Sequence, residues 1–174
     1  MVPVQNRLKQ IATIVDGANL VAQFICYRLL ELIVIVTVLQ VILRFGFNNP
    51  TKWSEEVAMI SLVWFGMLAV AIGVRRHSHI SIMFFRDLLP PSGRQVVDAL
   101  AQIAILIFAS ILIFKGWDLV TVTGRSRLPA SQLPKSWLYF SAFSGGCLMG
   151  LNAITNLVTR SLSTDTNPEA EAHR

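Results

Sequence analysis

The chain has 174 residues, of which 53% are hydrophobic and 14% are charged, with a formal net charge of +5 at pH 7. Soluble domains usually carry about 25% charged residues, so charge this sparse, set between long apolar stretches, indicates an integral membrane protein. The basic residues flank the apolar stretches one to three at a time, which is typical of charges that set membrane topology and not of a nucleic-acid surface.

The first element, residues 4–25, is predicted to be an amphipathic helix that lies at the membrane surface or leads into the first span. Its apolar side chains share one helical face and its polar side chains share the other. The apolar set is Leu8, Ile11, Ala12, Val15 and Ala22, and the polar set is Gln5, Lys9, Asp16 and Gln23. The polar residues interrupt the apolar core that a cleaved signal peptide needs, so we expect the first span to be retained.

The first membrane span is predicted at residues 27–47. Arg28 and Glu31 are three residues apart, so they share a face and can form an ion pair. The span boundaries place this pair near the cytoplasmic end, where it can reach water. An acid in the first of four spans could also couple proton movement to export, since ionisable residues within membranes are often functional.

The second span is predicted at residues 54–74. Ser54 is a candidate N-cap, and Glu55 and Glu56 occupy the first turn, where the helix dipole favours acids. These two acids could bind a proton or a cation, but helix-start charges or ion pairs with nearby bases are the favoured interpretation. Gly66 and Gly73, with Ala69 between them, form a small-residue stripe on which another helix can pack.

The remaining elements complete an all-α membrane domain over residues 1–160. Residues 80–89 are too short to cross a bilayer and predict an interfacial helix between spans two and three. The third span, 92–122, is long enough to tilt or project. The fourth, 136–158, carries a packing stripe of Ala142, Gly146 and Gly150. The polar tail, 161–174, is expected to be disordered.

Four spans place both termini on one side of the membrane. That side carries more Lys and Arg than the other, which favours cytoplasmic termini. Glu55 and Glu56 then face outward, and the basic cluster from Arg75 to His79 faces inward.

The sequence offers little that could perform chemistry. His77 and His79 lie at a membrane boundary and His173 lies in the tail, so none can be an axial haem ligand inside a helical bundle. The sequence shows no nucleophile–base pair, phosphate-binding loop, dinucleotide fingerprint or metal-ligand cluster. We therefore expect no enzymatic activity, no cofactor and no metal.

The second span and its flanks carry a resemblance to a known family. Three segments resemble the pattern of the small membrane subunit (DctQ-like) of TRAP (tripartite ATP-independent periplasmic) transporters. They are Trp53-Ser54-Glu55-Glu56, Trp64-Phe65-Gly66 and Arg75-Arg76-His77-Ser78-His79-Ile80. Leu133-Pro134 followed by Trp137, and the glycine-bearing fourth span, are also similar, so the resemblance covers about residues 20–160.

The resemblance implies a four-span partner in the bacterial inner membrane. In such a transporter a soluble periplasmic protein captures an organic acid, such as a dicarboxylate or sialic acid. A large multi-span subunit, driven by a sodium gradient, then moves the acid inward. The small subunit pairs with the large one, among membrane lipids, and enlarges the static scaffold beside the moving elevator domain.

The resemblance also implies roles for individual residues. Motif residues are expected to mark orientation or subunit contacts: Arg44, Trp53, Glu55, Glu56, Trp64, Gly66, Gly73, Arg75, Arg76 and His79. Arg125, Arg127 and Lys135 are expected to contact the periplasmic binding protein. Two other functions remain as alternatives, a standalone proton-coupled exporter that uses Glu31 and a membrane anchor for an enzyme complex.

Overall fold

The computed structural model describes residues 2–49, 51–75 and 91–165, and these residues are almost entirely helical. An isolated bridge between Arg127 and Pro134 is the one β-type pairing within them. The four helices are α1 (Val2–Gly46), α2 (Lys52–Arg75), α3 (Pro91–Thr123) and α4 (Ser136–Asp165). The all-α architecture predicted from the sequence is therefore confirmed.

The predicted amphipathic helix and the first span form one continuous helix, α1, of 45 residues. At 1.5 Å per residue α1 is about 68 Å long, roughly twice the thickness of a bilayer's hydrocarbon core. Residues 4–25 thus continue into the predicted span without a break in the helix. Asn48, in a left-handed conformation that asparagine tolerates, ends the helix.

Within the described residues, three helical segments are long and apolar enough to cross a membrane: Ala12–Gly46, Lys52–Arg75 and Val96–Thr123. Helix α4 is not among them, because asparagine, serine and threonine residues dilute its apolar character. A count of four spans therefore stays a prediction. The predicted interfacial helix at 80–89 lies outside the described residues. The prediction of a disordered tail at 161–174 is wrong for residues 161–165, which continue α4, and the remainder of the tail lies outside the described residues.

The helices pack side by side in the order α1, α2, α4, α3, with α1 and α3 at the two ends. Helix α1 runs antiparallel to α2, since Asp16 contacts Arg75 at one end and Gln40 contacts Glu55 at the other. A single stripe of α1 is turned toward its neighbours. Its members recur at alternating intervals of four and three residues: Val15, Asn19, Ala22, Cys26, Leu29, Ile33, Val36 and Gln40. This spacing is typical of α-helices that pack as a left-handed coiled coil.

Glycines allow α4 to lie close to both α2 and α3. A Cβ added at Gly145 would lie 3.0 Å from Cβ of Met67 on α2, and one added at Gly146 would lie 2.9 Å from Cβ of Leu112 on α3. Gly145 thus allows close contact with α2, and Gly146 allows close contact with α3 on the opposite side of α4. The buried core beside them contains Ala71, Val74, Ala109, Met149 and Ala153.

Helix α2 begins two residues before the predicted start at Ser54. The helix starts at Lys52, and the hydroxyl of Ser54 donates a hydrogen bond of 2.7 Å to the carbonyl of Thr51. Ser54 is fully buried within the first turn. The prediction that Ser54 caps the helix is therefore wrong, because the chain enters the helix one half-turn earlier.

Candidate functional site

The charged residues of α2 lie at its two ends, and residues 57–74 between them carry no charge. Each end is part of a polar cluster that joins α2 to other elements. The Arg75 cluster comprises Asp16, Asn19, Arg75, Asn152 and Asn156. The Glu56 cluster comprises Gln40, Glu55, Glu56, Ala130 and Ser131.

Arg75 connects three helices. Its Nε donates to Asp16 Oδ1 at 2.8 Å on α1, and its Nη1 donates to Asn156 Oδ1 at 2.8 Å on α4. Asn156 in turn donates to the carbonyl of Val74 at 2.9 Å. That carbonyl belongs to the last described turn of α2. The arginine predicted to mark orientation or a subunit contact is thus engaged within the chain.

Asn19 and Asn152 form the buried centre of the same cluster. Asn19 Nδ2 donates to Asn152 Oδ1 at 2.6 Å, and Asn152 Nδ2 donates back to Asn19 Oδ1 at 2.9 Å. The second amide hydrogens donate to the carbonyls of Val15 and Ala71, each at 2.8 Å. Every amide donor is satisfied, as a buried site requires.

Glu56 holds the loop between α3 and α4. Its carboxylate accepts hydrogen bonds from the backbone N–H of Ala130 at 3.0 Å, from the N–H of Ser131 at 2.7 Å and from the Ser131 hydroxyl at 2.6 Å. The loop closes on itself through a bond of 2.9 Å from Leu128 N to the carbonyl of Leu133, and the Leu128 side chain is buried. Glu56 is therefore an intramolecular anchor and not a member of an ion pair within the described residues.

Glu55 accepts a hydrogen bond of 3.0 Å from Gln40 Nε2, which fixes the end of α1 against the start of α2. A half-open cavity of about 620 Å³ lies beside this contact. Arg44 and Lys52 line it, together with both acids. Opposite charges therefore share the cavity wall, and the guanidinium of Arg44 also lies 5.5 Å from the centre of the Phe45 ring.

Trp64 packs against protein, as its position in mid-span predicts. Its Nε1 donates to the carbonyl of Trp137 at 2.9 Å, and its ring centre lies 5.9 Å from that of Phe140. Trp64 thereby joins the middle of α2 to the start of α4. Trp53, by contrast, is 40% exposed at the first turn of α2, which fits a position in an aromatic belt.

Arg28 and Glu31 form the expected ion pair, with Nη1 of Arg28 2.7 Å from Oε2 of Glu31. The packing of α1 against α2 shows where the pair lies along α2. Cys26, two residues before Arg28, contacts the carbonyl of Phe65 in the middle of α2. Because Cys26 is level with the middle of α2, Arg28 and Glu31 lie at the height of that part of α2 and not beside either of its ends.

The predicted packing stripes differ in their surroundings. Gly146 and Gly150 lie against Ala109 of α3. Ala142 is half-buried on the same helix. A Cβ added at Gly66 or Gly73 would meet no atom of the described residues within 4 Å. These two positions on α2 are therefore open as far as the described residues are concerned.

The remaining predicted residues lie on the loop or outside the described ranges. Arg125, Arg127 and Lys135 are exposed, and Arg127 Nη1 donates to the carbonyl of Gln132 at 3.2 Å. Arg76 and His79 fall in the segment that the structure does not describe. Within the ranges that it does describe, no three His, Cys, Asp or Glu side chains come together as a metal site.

Sequence reasoning missed Asn152, Asn156, Ser131 and Gly145. The two asparagines are four residues apart, on one face of a predicted membrane span, which is a signal for an interhelical polar contact. Ser131 carries no such signal, since its partner Glu56 is 75 residues away.

A family model described as "Tripartite ATP-independent periplasmic transporters, DctQ component" matches residues 33–162. The chain is 26% identical over 141 residues to a putative TRAP transporter small permease protein of Haemophilus influenzae, covering 81% of this chain and 88% of that protein. It is 28% identical over 131 residues to the sialic acid TRAP transporter small permease protein SiaQ of Vibrio cholerae, covering 75% and 76%.

Two further relatives widen the comparison. The C4-dicarboxylate TRAP transporter small permease protein DctQ of Vibrio cholerae is 24% identical over 98 residues, covering 56% of this chain and 42% of that protein. The sialic acid TRAP transporter permease protein SiaT of Haemophilus influenzae is 31% identical over 91 residues, covering 52% and 14%. The family match spans most of the helical domain, including α2 and both of its polar ends. The chain belongs to the DctQ component family of tripartite ATP-independent periplasmic transporters, whose members are permease subunits and not enzymes.

Proposed function

We propose that this chain is the small membrane subunit of a sodium-driven, binding-protein-dependent TRAP transporter that imports an organic acid, and that it enlarges the static scaffold beside the moving part of a large subunit. The observation that carries the proposal is the anchoring of α2 at both ends. Arg75, Asn152 and Asn156 join it to α1 and α4, and Glu56 joins it to the α3–α4 loop. Such cross-links suit an element that stays rigid while its partner moves.

The similarity to SiaT supports a large partner. A stretch of 91 residues of this chain resembles only 14% of that much longer permease. The rest of that permease lies outside the matched stretch, which supports a second protein that supplies it. We infer a heterodimer with a large multi-span subunit in the bacterial inner membrane.

The names of the relatives support a carboxylate substrate. One relative is named for sialic acid and another for C4-dicarboxylates, and both are organic acids. The two identities to this chain, 28% and 24%, are too similar to choose between them. We propose a carboxylate-bearing solute as the substrate class, with its binding site on the partner proteins.

The charge distribution supports an orientation with both termini in the cytoplasm. The Arg75 end of α2 then faces the cytoplasm and the Glu56 end faces the periplasm. In this orientation the α3–α4 loop presents Arg125, Arg127 and Lys135 to the periplasmic binding protein.

The standalone exporter has weaker support. The family consists of transporter subunits, and the carboxylate of Glu31 is paired with Arg28 at 2.7 Å. An enzyme-complex anchor likewise finds no support in a family of permease subunits.

Reconstitution tests the proposed function. The chain is co-expressed with the large multi-span protein, purified in detergent, and placed in liposomes with the periplasmic binding protein and either sialic acid or a C4-dicarboxylate. We expect uptake that needs an inward sodium gradient and is lost when this chain is omitted. Uptake by this chain alone, or failure of any large membrane protein to co-purify with it, would contradict the proposal.

A further inference from the structure

We propose that the large membrane subunit docks on the side of α1 that carries the Arg28–Glu31 ion pair, through a transmembrane helix with hydrogen-bonding side chains at mid-membrane. This inference rests on the proposed function, because it names the surface that the partner covers. The docking surface, called the outer face of α1, comprises Phe24, Tyr27, Arg28, Glu31 and Ile35.

The contacts between α1 and α2 set the depth of the ion pair. Asp16 lies beside Arg75, Cys26 beside Phe65, and Gln40 beside Glu55. Arg28 follows Asp16 by about 18 Å along the helix, and Glu31 precedes Gln40 by about 14 Å, at 1.5 Å per residue. The charge-free part of α2, residues 57–74, is about 27 Å long and must occupy most of the hydrocarbon core. The ion pair therefore lies near the middle of the membrane.

The pair points away from the rest of the chain. Arg28 and Glu31 side chains are 63% and 55% exposed. The buried stripe of α1 passes through Cys26, Leu29 and Ile33, about half a helical turn around from them. Phe24, Tyr27 and Ile35, at 58%, 62% and 56% exposed, surround the charges. The described part of this chain thus leaves an ion pair and apolar side chains uncovered on one face.

Lipid is a poor occupant of such a face. Charged side chains within a membrane almost always face a protein interior or a water-filled cavity, because hydrocarbon cannot hydrogen-bond to them. At more than 13 Å from either end of the paired helices, estimated from the 1.5 Å rise per residue, neither side chain can reach the headgroups. A second protein helix meets the requirement.

The unused hydrogen-bonding groups define the chemistry of that helix. The ion pair uses one Nη of Arg28 and one oxygen of Glu31, and a guanidinium has five N–H donors in all. The ring of Phe24, 5.1 Å from the guanidinium, covers one side of it. A partner helix with hydroxyl, amide or carboxyl groups at this depth would satisfy the remaining donors and acceptors, while Phe24, Tyr27 and Ile35 pack around it.

A photo-crosslinking amino acid locates the partner. p-Benzoylphenylalanine is placed at Phe24 on α1 or, as the matched control, at Phe108 on α3, which is 52% exposed on the other end helix. The full complex is irradiated in native membranes, and adducts are identified by mass. We expect an adduct between Phe24 and the large subunit at several times the yield obtained from Phe108.

Apolar replacement of the pair tests the chemistry. In the variant Arg28→Leu/Glu31→Leu, the polar side chains of the partner helix lose their hydrogen-bonding partners. We therefore expect several-fold less of the large subunit to co-purify with this variant. The matched control is Lys115→Leu/Asp118→Leu, which removes the exposed ion pair at the far end of α3, and we expect it to leave the yield unchanged. The melting temperature of each double variant, purified in detergent without the large subunit, verifies that it folds.

The outcomes separate the inference from the proposed function. Failure of the unmodified chain to bind any large membrane protein would overturn both. If the complex forms, the inference alone fails on any of three results. The first is a Phe24 adduct yield no higher than that of Phe108. The second is an adduct only to lipid or to a second copy of this chain. The third is an Arg28→Leu/Glu31→Leu variant that binds the large subunit as well as the parent does.

Discussion

Asn19 of α1 and Asn152 of α4 form a reciprocal amide pair across 133 residues of sequence, with donor–acceptor distances of 2.6 and 2.9 Å. Both side chains are buried, and Asn152 is fully so. The pair fixes the axial position of α1 against α4, because a shift of one residue along either helix would break both bonds. A buried polar pair that sets register is a recognised use of asparagine in helix packing.

The amide pair predicts a non-additive mutational response. Asn152→Leu leaves Asn19 buried without its partner, so we expect a loss of about 1–3 kcal/mol in stability. The double variant Asn19→Leu/Asn152→Leu removes both polar groups and should recover part of that loss. Thermal unfolding of the subunit in detergent measures each value. The exposed Ser110→Ala, which removes a bond within one helix, is the control. Strictly additive losses would contradict the pairing.

Replacement of Arg75 is expected to destabilise the isolated subunit. Arg75→Ala removes the bonds to both Asp16 and Asn156, whereas Asp16→Ala removes only one. Asp16 is 54% exposed, so its loss should cost under about 1 kcal/mol, and the Arg75 variant should lose more. Unfolding in detergent at low and high salt measures both. An Arg75→Ala subunit with unchanged stability but a weakened complex would instead place Arg75 at the subunit interface.

Removal of the Glu56 carboxylate is expected to release the α3–α4 loop. In Glu56→Ala the N–H groups of Ala130 and Ser131 lose their acceptor, so hydrogen exchange at these amides should become several times faster. Glu55→Ala, whose bond is to Gln40 on α1, should leave the loop's exchange unchanged. Equal exchange rates in the Glu56 variant and the parent would show that the loop is held by other contacts.

Glycine-to-alanine variants separate packing within the chain from open positions. Gly146→Ala places a Cβ 2.9 Å from that of Leu112, and we expect it to destabilise the subunit by about 1–3 kcal/mol through overpacking. Gly66→Ala enters open space and should keep or slightly raise stability, since alanine favours helix by about 1 kcal/mol over glycine. Melting temperatures in detergent compare the two. If Gly66 contacts the large subunit, its alanine variant will co-purify less of that partner despite its intact fold.

Reversal of the loop charges tests docking of the periplasmic protein. Arg125→Glu/Lys135→Glu should reduce binding-protein-dependent uptake several-fold, with a larger effect at low salt, because exposed charges act through screened electrostatics. Arg127 is left intact, since its bond to the carbonyl of Gln132 supports the loop. Unchanged uptake, with unchanged binding of the periplasmic protein, would contradict the proposal that the α3–α4 loop contacts that protein.

The sequence predicted the parts of the fold that depend on local composition. Long apolar stretches and the flanking polar residues placed α2, α3 and α4 to within a few residues at most ends. The motif around Trp53, Trp64 and Arg75 indicated the family that the comparisons show. Trp64 was also predicted to pack against protein, because a tryptophan in mid-span has no interface to occupy.

Other features depended on which helices lie side by side and at what height. The position of Arg28 and Glu31 level with the middle of α2 follows from the register of α1 against α2, which the apolar pattern of α1 alone does not define. The partners of Asn152 and Glu56 are distant in sequence and become neighbours only when Gly145 and Gly146 let α4 approach both adjacent helices. Local hydrophobicity thus determines where helices form, whereas close packing of small residues determines which polar groups meet, because hydrogen bonds reach only about 3 Å.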